Sequence, residues 1–242
     1  MILAKKLEVC AFNVQSGIIA QKVGASRVEL CDNPLEGGTT PSYGTIELLR
    51  DKISIDLYPI IRPRSGNYFY DKDEYDIIKK DIKRCREIGC NGISAGTQTI
   101  TGEIDKEWLM RIVDWAGPLG VTCNRAFDGT PDIFQALEDI IKCGCERVLT
   151  SGGEAGAPQG AAILKKLVKQ AADRIIIMPG AGIKSSNLKQ LLDETHATQF
   201  HASAREVALN PLGYINTKIK DYGNLYVSSE IELKKMIAIL NA

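Results

Sequence analysis

Short runs of β-branched and other apolar residues alternate along the chain with longer stretches of helical period. This alternation is typical of parallel strands joined by helices. It predicts eight strands, near residues 7–10, 27–31, 57–62, 92–95, 121–125, 147–150, 175–178 and 198–202. It also predicts a helix after each strand, at residues 16–23, 44–51, 72–88, 105–116, 131–142, 160–171, 185–193 and 229–240.

The connections from helix to strand repeat. Glycine stands between the two elements in "KVGASRVELC" (22–31), "EIGCNGISAG" (87–96) and "KCGCERVLTSGG" (142–153). Glycine suits the left-handed position that ends a helix, so these segments read as three copies of one connection. Eight such units without a linker predict an α/β fold with a single (β/α)8 TIM-type barrel domain over 1–242. A doubly wound open sheet is the alternative.

One segment has no clear period. Residues 206–228 carry turn residues and precede the final helix, so 206–242 forms a C-terminal loop and helix. Loops of this length are more often functional than idle. We expect this one to lie over the carboxyl end of the last strand.

Polar residues occupy one face of several predicted strands. Alternate side chains of a barrel strand face the lumen and the surrounding helices, and the helix side must be apolar. This parity directs five ionisable side chains towards the lumen or its mouth: Glu8, Glu29, Arg62, Arg64 and His201. Charged layers inside a barrel can be purely structural, but active sites of such barrels lie at the carboxyl ends of the strands.

The fifth strand ends in polar residues, within "VTCNRAFDGT" (121–130). The same parity turns Cys123 towards the helices and Asn124 towards the lumen. Arg125 and Asp128 follow near the carboxyl end of the strand. We therefore predict that these three polar residues contact a ligand at the barrel mouth.

Glycine-rich turns follow the sixth and seventh strands, in "TSGGEAGAPQG" (150–160) and "MPGAGIKSS" (178–186). Free backbone N–H groups at such turns can hold an anion, although many glycine-rich turns are simply turns. The candidate anion-binding residues are Ser151, Gly180, Gly182 and, after the last strand, Ser203. "GAGI" lacks the GxGxxG spacing of a dinucleotide site, so no nucleotide cofactor is expected.

Composition narrows the class of partner. Thirty basic and thirty acidic side chains cancel, and there is no long basic run, so nucleic acid is not an expected partner. Nowhere do eighteen apolar residues run together, and the first residues lack the pattern of a cleaved leader, so we expect no membrane partner and a cytoplasmic location.

The seven cysteines are scattered, as expected of reduced thiols. Trp108 and Trp115 share a helix face and suit a core or subunit contact, which leaves a homo-oligomer open.

Six ordered motifs resemble one known family, the copper homeostasis CutC family, over roughly residues 7–205. They are "LEVCAFNVQSGIIAQKVGASRVELCDNPLEGGTTPS" (7–42), "IIRPRSGNYFY" (60–70), "VTCNRAFD" (121–128), "RVLTSGG" (147–153), "IIIMPGAGI" (175–183) and "QFHASAR" (199–205). The resemblance implies a TIM-type barrel in the cytosol. It also implies a role in copper handling, with Cu(I) as cofactor or cargo bound by Cys10 and Cys31.

The motif at 121–128 departs from the family pattern, which usually reads Val-Thr-Phe-His-Arg-Ala-Phe-Asp. Cys123 and Asn124 stand where Phe and His would be. An amide does not titrate, so any proton transfer or metal ligation that relies on that imidazole is lost here.

Two functional hypotheses remain open. In the first, Cys10 and Cys31 end adjacent strands with the same parity, and since such strands lie ~4.8 Å apart, their thiolates could share one soft Cu(I) ion. Both could equally be ordinary buried cysteines. In the second, the chain is an isomerase, lyase or hydrolase that acts on a small sugar or a phosphorylated metabolite. Its acid–base groups would be Glu8, Glu29 and His201, and Arg62 and Arg64 would clamp an anion or carbonyl group, with a phosphate on the 180–183 turn.

Overall fold

Parallel strands and helices alternate along the chain in the computed structural model, which describes residues 5–219 and 223–242. The barrel strands are β1 (Lys6–Ala11), β2 (Arg27–Leu30), β3 (Asp56–Ile61), β4 (Gly92–Ala95), β5 (Gly120–Cys123), β6 (Arg147–Thr150), β7 (Ile176–Pro179) and β8 (Gln199–Ala202). The helices are α1 (Val14–Lys22), α2 (Tyr43–Lys52), α3 (Lys72–Ile88), α4 (Lys106–Ala116), α5 (Ile133–Cys143), α6 (Ala161–Ala171), α7 (Ser185–Thr195) and α8 (Glu230–Asn241).

The eight strands form one sheet in which consecutive strands from β1 to β7 pair with one another and β8 pairs with β1. The order is β7-β6-β5-β4-β3-β2-β1-β8, and these neighbours pair in parallel. β1 pairs with β8, and β7 and β8 lie in contact, so the sheet curls into a nearly closed barrel. The (β/α)8 prediction is confirmed, and the doubly wound alternative is wrong because the first and last strands are neighbours.

The main apolar core lies between the barrel and its helices. Leu7 and Val9 of β1 and Val28 and Leu30 of β2 are at most 1% exposed and pack outward against the helix layer. Their alternates point into the lumen, where Glu8 and Glu29 are also buried. The alternation predicted from the sequence therefore sorts these two strands correctly.

The ends of α3 show why these helices begin and stop where they do. The Asp71 side chain accepts a hydrogen bond from the Glu74 backbone N–H, and the Glu74 carboxylate accepts one from the Asp71 N–H, which forms a capping box. Gly89 then ends the helix in the left-handed conformation, with φ 83°. Gly24 and Gly144, the glycines of the two other repeated connections, also have positive φ.

Two predicted segments need correction. The fifth strand ends at Cys123, before Arg125, because the Asn124 side chain accepts the Ala126 N–H and starts a short 3-10 helix, Arg125–Gly129. The segment 206–228 is not entirely irregular. Its ends form an antiparallel ribbon of β9 (Arg205–Val207) and β10 (Tyr226–Ser228) beside the end of β8, while 220–222 lie outside the described residues.

Within the described residues, none of the helices combines the length and apolar character that crossing a membrane requires.

The repeated connections generate a test of backbone strain. An added Cβ would meet nothing within 4 Å at Gly89 or at Gly44, but only Gly89 has positive φ. We expect Gly89→Ala to lower the free energy of unfolding by about 1 kcal/mol, because L side chains disfavour that conformation. Gly44→Ala in α2 should raise it by roughly 0.5 kcal/mol. Urea denaturation of both variants checks this, and a fall of equal size in both would contradict it.

Candidate functional site

A buried ion network crosses the lumen between β1, β2 and β8. Glu8 forms a salt bridge with Arg27, and its second oxygen lies 2.7 Å from Nδ1 of His201. Gln199 accepts hydrogen bonds from Arg27 and from Arg147, both at 2.9 Å. These residues are at most 8% exposed, so each charge is compensated inside the barrel.

The network sets the protonation of its members. Burial alone would raise the pKa of Glu8, but Arg27, His201 and Arg147 lower it to about 2. Burial alone would lower the pKa of His201, but its partners Cys10, Glu8 and Glu29 raise it well above 6.5. Glu8 therefore stabilises the fold fully above its unfolded pKa of about 4.5, and this contribution is lost as the pH falls towards 2.

Two thiols lie directly above this network, where β1 and β2 end. The Cys10 and Cys31 sulfurs are 3.7 Å apart, and Cys31 Sγ lies 3.5 Å from an oxygen of Glu29. One donor atom from each of Cys10, Glu29 and Cys31 fits within 4.8 Å of the others. Ile60 packs with the two cysteines in an apolar cluster separate from the main core.

The two thiols differ in acidity. The hydrogen bond with Cys31 lowers the pKa of the Cys10 thiol, and the charge of His201 acts in the same direction. Burial raises the pKa of Cys31 well above its usual range, and the contacts with Cys10 and Glu29 raise it further. Cys10 is therefore the first of the pair to become a thiolate.

A cavity of about 920 Å³ opens above the thiols at the carboxyl ends of the strands. Cys10, Glu29 and His201 contribute to its floor, and Asn124 and Ser203 also line it. Ala181, Gly182 and the first residues of α7 form one wall, and the start of the β9–β10 ribbon forms another. Of the residues that strand parity directs inward, Glu29, Asn124 and His201 line this single space, which is large enough for a small molecule.

Asn124 lies on the floor of this cavity, and only the oxygen of its side-chain amide is hydrogen-bonded within the described residues. Its Oδ1 accepts the Ala126 N–H at 3.0 Å, while Nδ2 is buried without a hydrogen-bond partner among the described residues. Gly96 at the end of β4 makes the room, because a Cβ there would come within 2.3 Å of Asn124 Oδ1. Gly180 likewise leaves room for His201, because a Cβ added at Gly180 would lie 3.3 Å from the Cβ of His201.

The two arginines after β3 support loops instead of meeting the cavity. Arg62 donates to the carbonyls of Glu36, Gly38 and Gly66 at 2.6–2.8 Å. Arg64 forms a salt bridge with Glu74 of the α3 capping box and is not among the residues that line the cavity. The structure therefore brings Glu8, Glu29 and His201 together, and does not bring Arg64 to them.

Arg125, Asp128 and Ser151 form a second polar cluster at the mouth. Asp128 accepts hydrogen bonds from the backbone N–H groups of Ser151 and Gly153, both at 3.0 Å. It also forms an ion pair with Arg125 at 2.8 Å. Arg125 also donates to Ser151 Oγ at 3.0 Å. Asp128 thus holds the glycine-rich turn after β6, and only Arg125 of the three lines the cavity.

The turn predicted to hold a phosphate already has an anion beside it. The Glu232 carboxylate of α8 accepts the Ser185 N–H at 2.6 Å and the Ser185 hydroxyl at 2.9 Å, at the start of α7. Gly180 lies at the end of β7 and Gly182 at the cavity wall. A side chain from α8 therefore occupies the helix N-terminus that would attract a phosphate.

Sequence reasoning did not assign three of the residues that shape the site. Arg27 and Arg147 balance the charges beneath the thiols, and Gly96 gives Asn124 its place. Parity could have found both arginines, since each opens a strand whose polar face points inward. No sequence pattern marks Gly96, because its role depends on contact between β4 and the residue after β5.

Fold and site together define a class: a (β/α)8 barrel with thiol, carboxylate and imidazole groups at the floor of its mouth. The CutC family model matches residues 5–206. A CutC family protein of Chromobacterium violaceum is 45% identical over 210 residues, which cover 87% of this chain and 85% of that protein. One from Parabacteroides distasonis is 44% identical over 227 residues, with 93% of each chain covered. The chain belongs to the CutC family.

Solved structures agree with this assignment. A CutC from Streptococcus agalactiae, named as a candidate copper homeostasis protein, superposes with a TM-score of 0.77 and 33% identity over 82% of this chain and 98% of that one. Phosphoribosylanthranilate isomerase from Thermotoga maritima has a TM-score of 0.60 at 10% identity, with 98% of both chains covered. The latter similarity shows the shared fold alone.

The buried ion pair predicts a large effect for a change that leaves the shape intact. Glu8→Gln removes the negative charge that faces Arg27, and an uncompensated buried guanidinium should lower the free energy of unfolding by about 3–5 kcal/mol. Glu138→Gln removes the partner of Arg174 in a partly exposed pair at the protein surface and serves as the matched control. Urea denaturation should show a far larger loss for Glu8→Gln, and similar losses would contradict a structural role for the network.

The protonation of His201 can be tested directly. Because the pKa of His201 lies well above 6.5, its imidazole should stay charged as the pH passes through that value. NMR titration of the ring signals measures this, and His196→Asn leaves His201 as the single histidine signal. The stabilisation from His201 is full below about pH 6.5 and is lost as the pH rises through the folded-state pKa. A midpoint at or below 6.5 would contradict the proposed charge.

Proposed function

We propose that this CutC family member binds Cu(I) through Cys10 and Cys31 and takes part in copper homeostasis in the cytoplasm. The observation that carries the proposal is the pair of thiols 3.7 Å apart with the Glu29 carboxylate beside them. Thiolates are the soft ligands that select Cu(I) over harder ions.

The spacing of the two sulfurs suits a shared ion with a third donor. A metal–thiolate bond is about 2.3 Å long, so sulfurs 3.7 Å apart make an angle of roughly 107° at the ion. A linear two-sulfur site would need them about 4.6 Å apart. The bent angle leaves room for a third donor, and a Glu29 oxygen lies within 4.8 Å of both sulfurs.

The surroundings of the thiols support the same assignment. Two thiolates with Cu(I) carry one negative charge, and the His201 imidazolium, beside Cys10, offsets it. Ile60 and Phe12 pack against the thiols and give them apolar neighbours. A closed zinc site needs four such ligands, whereas within 5–219 and 223–242 the group that could hold an ion has three members. The donor set therefore favours an ion of low coordination number.

An enzyme is the second candidate, because His201 lies between two carboxylates at the cavity floor. Its Nδ1 is 2.7 Å from Glu8 and its Nε2 is 3.6 Å from Glu29. Such a pair of contacts could move a proton in an isomerase, lyase or hydrolase that acts on a small sugar. Glu232 beside the 180–183 turn argues against the phosphorylated substrates expected there.

The copper proposal makes a prediction about affinity. The double variant Cys10→Ser with Cys31→Ser should weaken Cu(I) binding at least a hundredfold, because hydroxyl oxygens are poor ligands for a soft ion. Competition against a chromophoric Cu(I) chelator measures it. Glu29→Gln, which keeps the volume but removes the charge, should weaken binding by about tenfold.

Cys143→Ser is the matched control. Cys143 is buried outside the site, and its sulfur lies 3.7 Å from the Lys106 carbonyl, so a serine there has an acceptor at hand. This variant should bind Cu(I) like the unmodified protein. Unchanged Cu(I) affinity in the double variant would refute the site.

A further inference from the structure

Two buried polar atoms at the cavity floor lack partners. Asn124 Nδ2 is a donor and Glu29 Oε1 an acceptor, and both are without a hydrogen bond among the described residues. Their side chains are 2% and 4% exposed, and both line the same cavity. Leaving a buried polar group unpaired costs about 1–3 kcal/mol, so such atoms in a cavity indicate a ligand that completes them.

The two atoms require a ligand that both accepts and donates hydrogen bonds. Asn124 Nδ2 needs an acceptor, and Glu29 Oε1 needs a donor. A hydroxyl group is both, so a compound that carries several hydroxyl groups suits the two atoms. Phe12, Ile60 and Leu149 add apolar surface to the lining, which suits the C–H faces of a small polyol or sugar.

The charges beneath the floor favour an uncharged ligand. Glu8 is paired with Arg27 and with His201, and His201 also faces Glu29 at 3.6 Å. Arg147 is paired with Glu146 at 2.7 Å. These charges already pair with one another, so in the metal-free protein an uncharged ligand disturbs them least.

The cavity wall also disfavours a phosphate group. The Glu232 carboxylate occupies the N-terminus of α7 through Ser185, where it would repel a second anion. Arg125, Lys184, Arg205 and Lys235 also line the cavity, but all four are exposed, so water and salt screen their charges. The Glu232 carboxylate, held by the N–H and the hydroxyl of Ser185, instead lies where a phosphate would bind.

We infer that the barrel-mouth cavity binds a small uncharged polyhydroxy compound of the aldose or polyol class, held by Asn124 and Glu29, and that Glu232 excludes phosphorylated forms. The inference goes beyond metal binding, because its anchor, Asn124, is not one of the proposed copper ligands. It also assigns to Asn124 a ligand-binding role besides capping the 3-10 helix.

The test follows the side-chain amide signals of Asn124 by NMR in the full-length, metal-free protein. Ribose, xylose and glycerol are the uncharged probes, and inorganic phosphate and ribose 5-phosphate are the charged ones. At least one uncharged probe should shift the Asn124 signals saturably at millimolar concentration, and the charged probes should bind at least tenfold more weakly. The inference is overturned if no uncharged probe shifts these signals or if phosphate binds as tightly as the sugars.

Variants test the role of Asn124 in sugar binding separately from the role of Glu232 in excluding phosphate. Asn124→Asp keeps the oxygen that accepts the Ala126 N–H but replaces the free donor with an acceptor, so the dissociation constant for the sugar should rise at least tenfold. Asn210→Asp is the matched control, since Asn210 also caps a turn through Oδ1 but does not line the cavity. Equal sugar affinity in the two variants would overturn the role of Asn124. Glu232→Ala should gain at least tenfold in affinity for inorganic phosphate, and no gain would overturn the role of Glu232.

Different variants test the copper proposal and the sugar proposal, so either can be refuted without the other. The double variant Cys10→Ser with Cys31→Ser should retain the sugar-induced shifts, and Asn124→Asp should retain Cu(I) binding. Loss of Cu(I) binding with the sugar response intact in the double variant supports two distinct roles. Loss of both responses in Asn124→Asp, with the fold intact by circular dichroism, would overturn the inference that Asn124 acts on an organic ligand alone.

Discussion

The buried contact between Glu8 and Arg27 is the constraint on which the rest of the site depends. A guanidinium and a carboxylate inside a barrel are tolerated only when each has its partner, and here Gln199 and His201 complete the hydrogen bonds. This pairing makes a polar lumen compatible with a stable fold. It also gives His201 a positive charge at the point where the lumen opens into the cavity.

The charge on His201 links the lower network to the chemistry above it. It lies against Cys10 and Glu29, so the same imidazolium can offset a thiolate pair and orient a carboxylate. The cavity above then offers two kinds of ligand set. The thiols suit a soft ion, whereas the free atoms of Glu29 and Asn124 suit hydroxyl groups. Sharing Glu29 places a metal and a small molecule close enough to influence one another.

Much of this site could be predicted from strand parity. Glu8, Glu29 and His201 were directed to the lumen by alternation alone, and the structure brings them together. Parity failed for Arg64, because it follows the end of β3, where side chains no longer alternate and a loop turns the guanidinium towards Glu74. The carboxylate of Glu232 could not have been anticipated, since it comes from a helix far along the chain.

The sequence by itself determined the (β/α)8 architecture and the inward-facing residues of several strands, because hydrophobic period and parity are local properties of the chain. It also carried the family resemblance. Only the tertiary structure decided that Cys10 and Cys31 lie 3.7 Å apart and that Asn124 Nδ2 has no hydrogen-bond partner in the described part of the chain. Those facts depend on strand register and on close approaches such as that at Gly96, which bring together residues that no local pattern connects.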